Sequence, residues 1–163
     1  MINLCLFNKM KKFELTGERN YYFGKTLFRI KALKSFGDVV VGQTGGWIEK
    51  EENLSQDGDA WVSGNAVVKD EALVSGNAVV SGNAVVSSNA DYALISGFGT
   101  KFRTTTFFRC DDSKIRVSCG CFLGTIPQFI ERVKNTRSGK IAEEYLAIAE
   151  LMGKHFEKGD SDE

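Results

Sequence analysis

From residue 60 to residue 92 the chain repeats itself in steps of six. Alanine stands at 60, 66, 72, 78, 84 and 90, and a bulky apolar residue stands two places further on, at 62, 68, 74, 80, 86 and 92. The bulky residue is valine five times and then Tyr92. Glycine occupies 58, 64, 76 and 82, and the gaps in that series hold Asp70 and Ser88. A period of six excludes an α-helix, whose apolar stripe recurs at about 3.6 residues. It suits short strands joined by tight corners. Ala66 and Val68, two apart, face the same way in a strand, and Gly-Asn pairs tolerate the positive φ that a corner needs. Three such strands and corners close one coil, and coils stack at about 4.8 Å, the spacing of neighbouring strands. The pattern therefore predicts a mainly β chain built on a hexapeptide parallel β-helix. Carried backward, the phase puts Leu54 and Ile48 in the alanine column and starts the solenoid near Trp47. Carried forward, it fails after Tyr92.

The flanks alternate differently. FELTGERNYYFGKTLFRIKAL reads as strand, turn, strand, with Gly24-Lys25 at the turn. Residues 105 to 122 read as a hairpin, TTFFRC–DDSK–IRVSCGCF. A helix follows, with Thr125 as N-cap, Pro127 in the first turn and Phe129, Ile130 and Val133 as its apolar face. Ser138-Gly139 breaks it. A second helix over about 140 to 156 puts Ile141, Tyr145, Ile148, Ala149 and Met152 on one stripe. The expected division is an N-terminal β cap over 1–46, the solenoid over 47–98, a C-terminal module of hairpin and two helices over 99–158, and a disordered tail over 159–163.

The residue after each alanine points outward. One wall carries Trp61 and Val79, a second carries Val67 and Val85, and a third carries Ser55, Leu73 and Asp91. Two walls with contiguous apolar residues are poor surfaces for water. They are expected to be covered by the terminal segments or by a second copy of the chain. Trp61, Val67, Val79 and Val85 are thus candidate oligomer contacts, with a trimer favoured.

Composition narrows the function. Lysine and arginine number 21 and so do aspartate and glutamate, so bulk charge predicts neither nucleic acid nor an anionic membrane as partner. No apolar run approaches the roughly 18 residues of a membrane span. The N-terminal MINLCLFNKMKK has its basic residues after the apolar ones, the wrong order for a secretory signal. The expectation is a cytoplasmic protein whose Cys5, Cys110, Cys119 and Cys121 stay reduced. Acyl transfer on a hexapeptide scaffold needs a general base, usually histidine. The single histidine, His155, falls in the last predicted helix, away from any coil. Zinc chemistry of the three-histidine kind has no ligands here, and C-x-C with one distant cysteine is poor zinc spacing. GFGTKFRT at 97 to 104 is glycine-rich and basic but lacks the lysine-serine/threonine ending of a phosphate loop. Asp70 and Glu71 share one corner edge with Glu52, Asn53, Ser88 and Asn89, a row open to a ligand or a basic partner. No catalytic set, cofactor or metal is predicted.

LTGE, TLFRIKALKSFGDV, GGWIEKEENLSQDGDAWV and the SGNAVV repeats, followed by FFRCDDSKIRVSCGCFLGTIPQFIERV, together resemble hexapeptide-repeat proteins of bacteria and their prophages, sometimes labelled polymer-forming. The resemblance implies a left-handed solenoid and a phage or prophage origin, without a settled activity. It departs from the family where relatives carry a polar residue after the alanine. A chain of this kind with no catalytic set is expected to bind rather than catalyse. The expected role is a counter-defence inhibitor. It would sequester a small signalling molecule such as a cyclic nucleotide, or block a host defence protein. The alternative is a structural or oligomerisation module, with a hexapeptide acyltransferase behind both. Sequestration predicts a cleft lined by cations and rings, for which Lys101, Phe102, Arg103 and Arg109 are the candidates.

Overall fold

The alternation over residues 13 to 32 forms one antiparallel hairpin in the computed structural model, which describes residues 10–157. Strands β1 (Phe13–Tyr22) and β2 (Lys25–Ala32) are joined by Phe23 and Gly24, at φ 45° and 80°. The turn thus lies one residue before the expected Gly24-Lys25, because two successive positive-φ residues match the twist of the strands they connect. Strand β2 pairs antiparallel with β3 (Thr44–Ile48). Beyond it the repeat supplies two-residue strands: β4 (Trp61–Val62), β5 (Val67–Val68), β6 (Val79–Val80) and β7 (Val85–Val86). The C-terminal part contains β8 (Tyr92–Phe98), β9 (Arg103–Arg109), β10 (Ile115–Cys119) and β11 (Phe122–Thr125). Helices α1 (Ile126–Thr136) and α2 (Gly139–Phe156) follow.

This topology corrects the expectation of a single left-handed parallel β-helix with separate caps. The strands divide among three sheets: a mixed sheet in the order β1-β2-β3-β5-β7, an antiparallel sheet in the order β11-β10-β9-β8, and the pair β4-β6. The N-terminal hairpin is not a lid laid on a finished coil. Its β2 hydrogen-bonds to β3 and so belongs to the same sheet as β5 and β7. The reason is strand length. A Val-Val segment offers only a couple of ladder bonds, whereas the long strands on either side supply most of the backbone pairing and do so antiparallel. The expected tail over 159–163 and the first nine residues, Cys5 among them, lie outside the described residues.

What the period does predict is which side chains go inside. Ala60, Ala66, Ala72, Ala78 and Ala84 are buried, and so are Val62, Val68, Val74, Val80 and Val86. Val67 faces Val85 and Trp61 faces Val79 in parallel register, a step of eighteen. Further back the step changes. Ile48 faces Val68 and Leu54 bridges to Val74, a step of twenty. Two extra residues in the corner over 55–59 therefore move Ile48 and Leu54 from the alanine column into the valine column. The same slip puts Asn53, rather than Ser55, level with Leu73. Asn53 is fully buried; its Nδ2 donates to the carbonyls of Ala72 (2.8 Å) and Asp70 (3.1 Å), and its Oδ1 accepts from the Lys50 amide at 2.9 Å.

The enlarged corner turns its carbonyls inward, and Lys12 meets them. Its side chain has no exposed surface. Nζ donates to the Ala60 carbonyl at 2.7 Å and reaches those of Asp57 and Gly58 at 3.4 Å, with the Phe36 ring 4.9 Å away. Burial draws the lysine down from 10.5 to about 8, although the nearby Asp59 opposes the shift. The corners turn on Gly58, Gly64, Gly76 and Gly82, all at φ between 61° and 67°, and Asp70 adopts φ 55° in the place of a glycine. Ser88 does not. It stays extended and opens the short 3₁₀ turn Asn89–Asp91, which ends the repeat.

Helix α1 begins as its residues require. Thr125 accepts from the Gln128 amide at 3.2 Å, and the Gln128 side chain accepts from the Thr125 amide at 2.9 Å, a capping box with Pro127 inside it. Phe129 and Val133 then face the antiparallel sheet, where they join Phe107, Val117, Tyr145, Ile148, Met152 and Phe156 in a second core.

Candidate ligand-binding site

A pocket of about 190 Å³ opens where the β8–β9 turn, the β10–β11 turn and the two helices meet. Phe98, Phe122, Phe129, Val133 and Tyr145 form its apolar floor, and Lys101, Arg103, Arg132 and Arg137 stand at its edge. Phe129 is the centre of the floor. Its ring meets Tyr145 edge-on at 5.9 Å, Phe107 edge-on at 6.2 Å and Phe122 at a tilt at 5.7 Å. Rings locked in this way present fixed faces and edges to a ligand. The Arg132 guanidinium lies 5.8 Å from the Phe122 ring, and its stem leaves α1 beside the buried Phe129 and Val133.

The electrostatics of the edge are one-sided. No carboxylate among the described residues lines the pocket. Among the described residues, Lys101, Arg103, Arg132 and Arg137 form no ion pair, while lysines and arginines elsewhere pair with Glu51, Asp70, Asp91 and Asp112. Four unpaired cations around a concave, ring-floored hollow attract an anion, and the low-dielectric floor strengthens that attraction.

Two glycines make the pocket possible. At Gly99 (φ 78°) a Cβ would strike the Tyr145 hydroxyl, which donates to the Phe98 carbonyl at 3.2 Å. At Gly120 (φ 59°) a Cβ would strike Nη1 of Arg103, so the guanidinium lies directly against bare backbone. The Tyr145 phenol is raised above its usual range, chiefly by burial, with Cys119 adding to the rise and Arg137 and Arg103 opposing it. It is therefore a neutral donor near pH 7. Cys119 and Cys121 also line the hollow as free thiols, and the Thr105 hydroxyl donates to the Cys119 sulfur at 3.2 Å. Cys110 lies elsewhere, buried, with its thiol pushed up to about 11 by that burial.

Of the four ligand candidates, the fold brings Lys101 and Arg103 to this edge. Phe102 stands at the hairpin tip at φ 51°, 73% exposed, and does not line the pocket. Arg109 is at the other end of β9. It pairs with Asp91 at 3.2 Å, donates to the Ser113 carbonyl at 3.0 Å and lies 6.0 Å from the Phe156 ring. Sequence reasoning missed Arg132, Arg137 and Tyr145. The legible signal was Arg132, three residues after Phe129 and one before Val133, at the border of the apolar stripe of α1.

The wall residues are taken up within the chain. Trp61 is buried against Phe36, whose ring is 5.4 Å away, and Val67 is buried with Leu27 and Trp47. Neither has side-chain surface left for a second copy. Val79 and Val85 are half-buried, with the Val79 amide donating to the Thr106 hydroxyl at 3.1 Å. The acidic corner edge is likewise partnered. Asp70 accepts from Lys69 at 2.7 Å and pairs with Lys25 at 3.2 Å, contacts that hold its carboxyl below the usual range. Glu49 accepts from the Asp70 amide at 2.9 Å. His155 is exposed on the last turn of α2, its ring 4.9 Å from Phe156 and not at the pocket. Among the described residues, no helix is long and apolar enough to cross a membrane.

No protein-family model matches the chain. Over 36 residues it is 44% identical to a protein of Escherichia coli K12 named as an uncharacterized acetyltransferase, YdcK. The shared stretch is 22% of this chain and 11% of that protein, so the likeness joins two fragments and leaves the pocket to be read from its own chemistry.

Proposed function

We propose that the protein binds, without transforming it, a small anion that carries a flat ring, of the nucleotide class, and that it acts by sequestering this molecule. The observation that carries the reading is the ring of four unpaired cations, Lys101, Arg103, Arg132 and Arg137, around the aromatic floor of the pocket. The floor suits a base, which stacks or packs edge-on with Phe and Tyr. The edge suits a phosphate, which guanidinium groups hold by paired hydrogen bonds. A hollow of about 190 Å³ has room for one ring system, since a cavity of roughly 150 Å³ accepts benzene. The resemblance to prophage hexapeptide proteins fits this role with a counter-defence context, in which the sequestered molecule is a signalling nucleotide.

Acetyl transfer, the activity in the name of the E. coli relative, requires a base beside the acceptor. No histidine or carboxylate among the described residues lines the pocket, and burial keeps the proton on Tyr145. Binding without turnover is therefore the reading we favour.

Isothermal titration with AMP, UMP and cyclic AMP tests it. At least one should bind with a Kd below 1 mM, and Arg103→Gln or Arg132→Gln should each weaken that binding about tenfold or more, the loss of one charge-assisted contact. The nucleotide should be recovered unchanged, and His155→Ala should bind as the parent does. Absence of binding for all three at 1 mM overturns the reading. Release of acetate or free thiol from acetyl-coenzyme A, lost in His155→Ala, would replace it with an enzyme.

A further inference from the structure

A second hollow, about 720 Å³, lies beside the first, between the loop around Gly37–Val39 and the outer face of β9 and β10. Arg103 and Cys121 line both hollows. The partition between them thus includes the Arg103 side chain and the Gly120–Cys121 turn, and the guanidinium rests on the bare backbone of Gly120. One cation is shared, and the surroundings on its two sides are opposite. On the pocket side stand three further cations and the rings. On the groove side stand Asp38 and Asp59, with Asn77, Ser63, Thr104 and Ser118, and no other cation among the described residues.

We infer that the two hollows form one extended site, and that its ligand is a nucleoside diphosphate carrying a sugar, with the base in the pocket, the diphosphate at Arg103 and the sugar in the groove. This rests on the nucleotide reading above. The pocket holds one ring system, so anything beyond the phosphates must leave it, and the groove is the adjoining space. The two carboxylates repel a further free anion. A neutral group rich in hydroxyls donates hydrogen bonds to carboxylate and amide oxygens and accepts them from Asn77 and the serine and threonine hydroxyls. Such a group therefore satisfies the groove, whereas a phosphate that ends the ligand does not.

The test is titration of AMP, ADP and ADP-glucose, and of UMP, UDP and UDP-glucose, into the intact protein. In the series that binds, the sugar conjugate should bind at least tenfold tighter than the diphosphate. Asp38→Ala and Ser118→Ala should each remove most of that gain and leave monophosphate binding within twofold, a pattern that also shows the variants are folded. Equal affinity of diphosphate and conjugate overturns the extended site while leaving the pocket intact. A gain that survives both substitutions overturns it as well. Failure of every mononucleotide and conjugate to bind removes the pocket reading and this inference together.

Discussion

The repeat and the C-terminal module bury their interiors with different materials. Inward positions from Ala60 to Val86 alternate alanine and valine, and all ten are at most 1% exposed. Beneath the helices the interior is made of Phe107, Phe129, Tyr145, Met152 and Phe156, with Phe98 and Phe122 only partly covered. Small side chains on a fixed period shut solvent out of their column. Large rings that meet edge-on cannot close every seam. The seam left where two turns and two helices converge is the pocket. The difference teaches that the repeated part of this chain keeps a dry interior, and that the ring-floored pocket belongs to the part without a repeat.

Substitutions can break that contrast. The largest effect is expected for Val80→Asp, which puts an unpaired charge into the dry column and should cost about 3 kcal/mol or more. Urea denaturation would show the midpoint collapse or the cooperative transition vanish. A shift as small as a surface change would mean that the column admits water. Phe129→Ala should cost about 3 kcal/mol and also abolish nucleotide binding, because the same ring serves the core and the floor. A variant that loses stability yet binds normally would separate the two and place the ligand elsewhere.

A third test concerns Lys12, the one charged side chain fully inside the repeat core among the described residues. Its folded pKa, about 8, lies below its ordinary 10.5. Between those values the unfolded chain binds a proton that the folded chain has shed. Stability contributed through this group therefore rises as pH climbs from about 8 to 10.5, and the penalty is fully present below 8. The rise should be of the order of 2 kcal/mol, read as the difference in denaturation midpoint between the parent and Lys12→Met over that range. A difference that does not change with pH would show that the three carbonyls hold the ammonium charged throughout. The smallest effect on stability is expected for Arg132→Gln, within about 0.5 kcal/mol, although it should cost about tenfold in affinity. A large loss of stability there would make Arg132 a structural residue and weaken the contrast between dry interior and pocket.

Much of the local structure was legible. Residues two apart share a strand face, so the alanine and valine columns could be assigned to the interior before any coordinates. The hairpin at β9–β10 and the start of α1 at Thr125 also followed from local rules, because a cap and its helix are neighbours in sequence. The candidate site was half legible. Lys101 and Arg103 stood out as cations in a glycine-rich turn, but Arg109 stood out equally. Six residues of extended strand separate Arg103 from Arg109 by about 20 Å, so only one of them could serve the same pocket.

By itself, then, the sequence determined which residues turn inward, where the glycine corners of the repeat lie and where the helices begin, since each depends on contacts within a few positions. The sheet partners were decided only in the tertiary structure. A two-residue strand has too few hydrogen bonds to dictate what pairs beside it, and the long hairpin β1–β2 and the sheet β8–β11 took up that role. The two extra residues over 55–59 shifted the register by an amount that no period of six contains. The pocket, likewise, joins Lys101 and Arg103 to Arg132 and Arg137 across a sheet and a helix. Such a meeting depends on how α1 crosses the strands, and that direction is set by the packing of Phe129 and Val133 against the sheet.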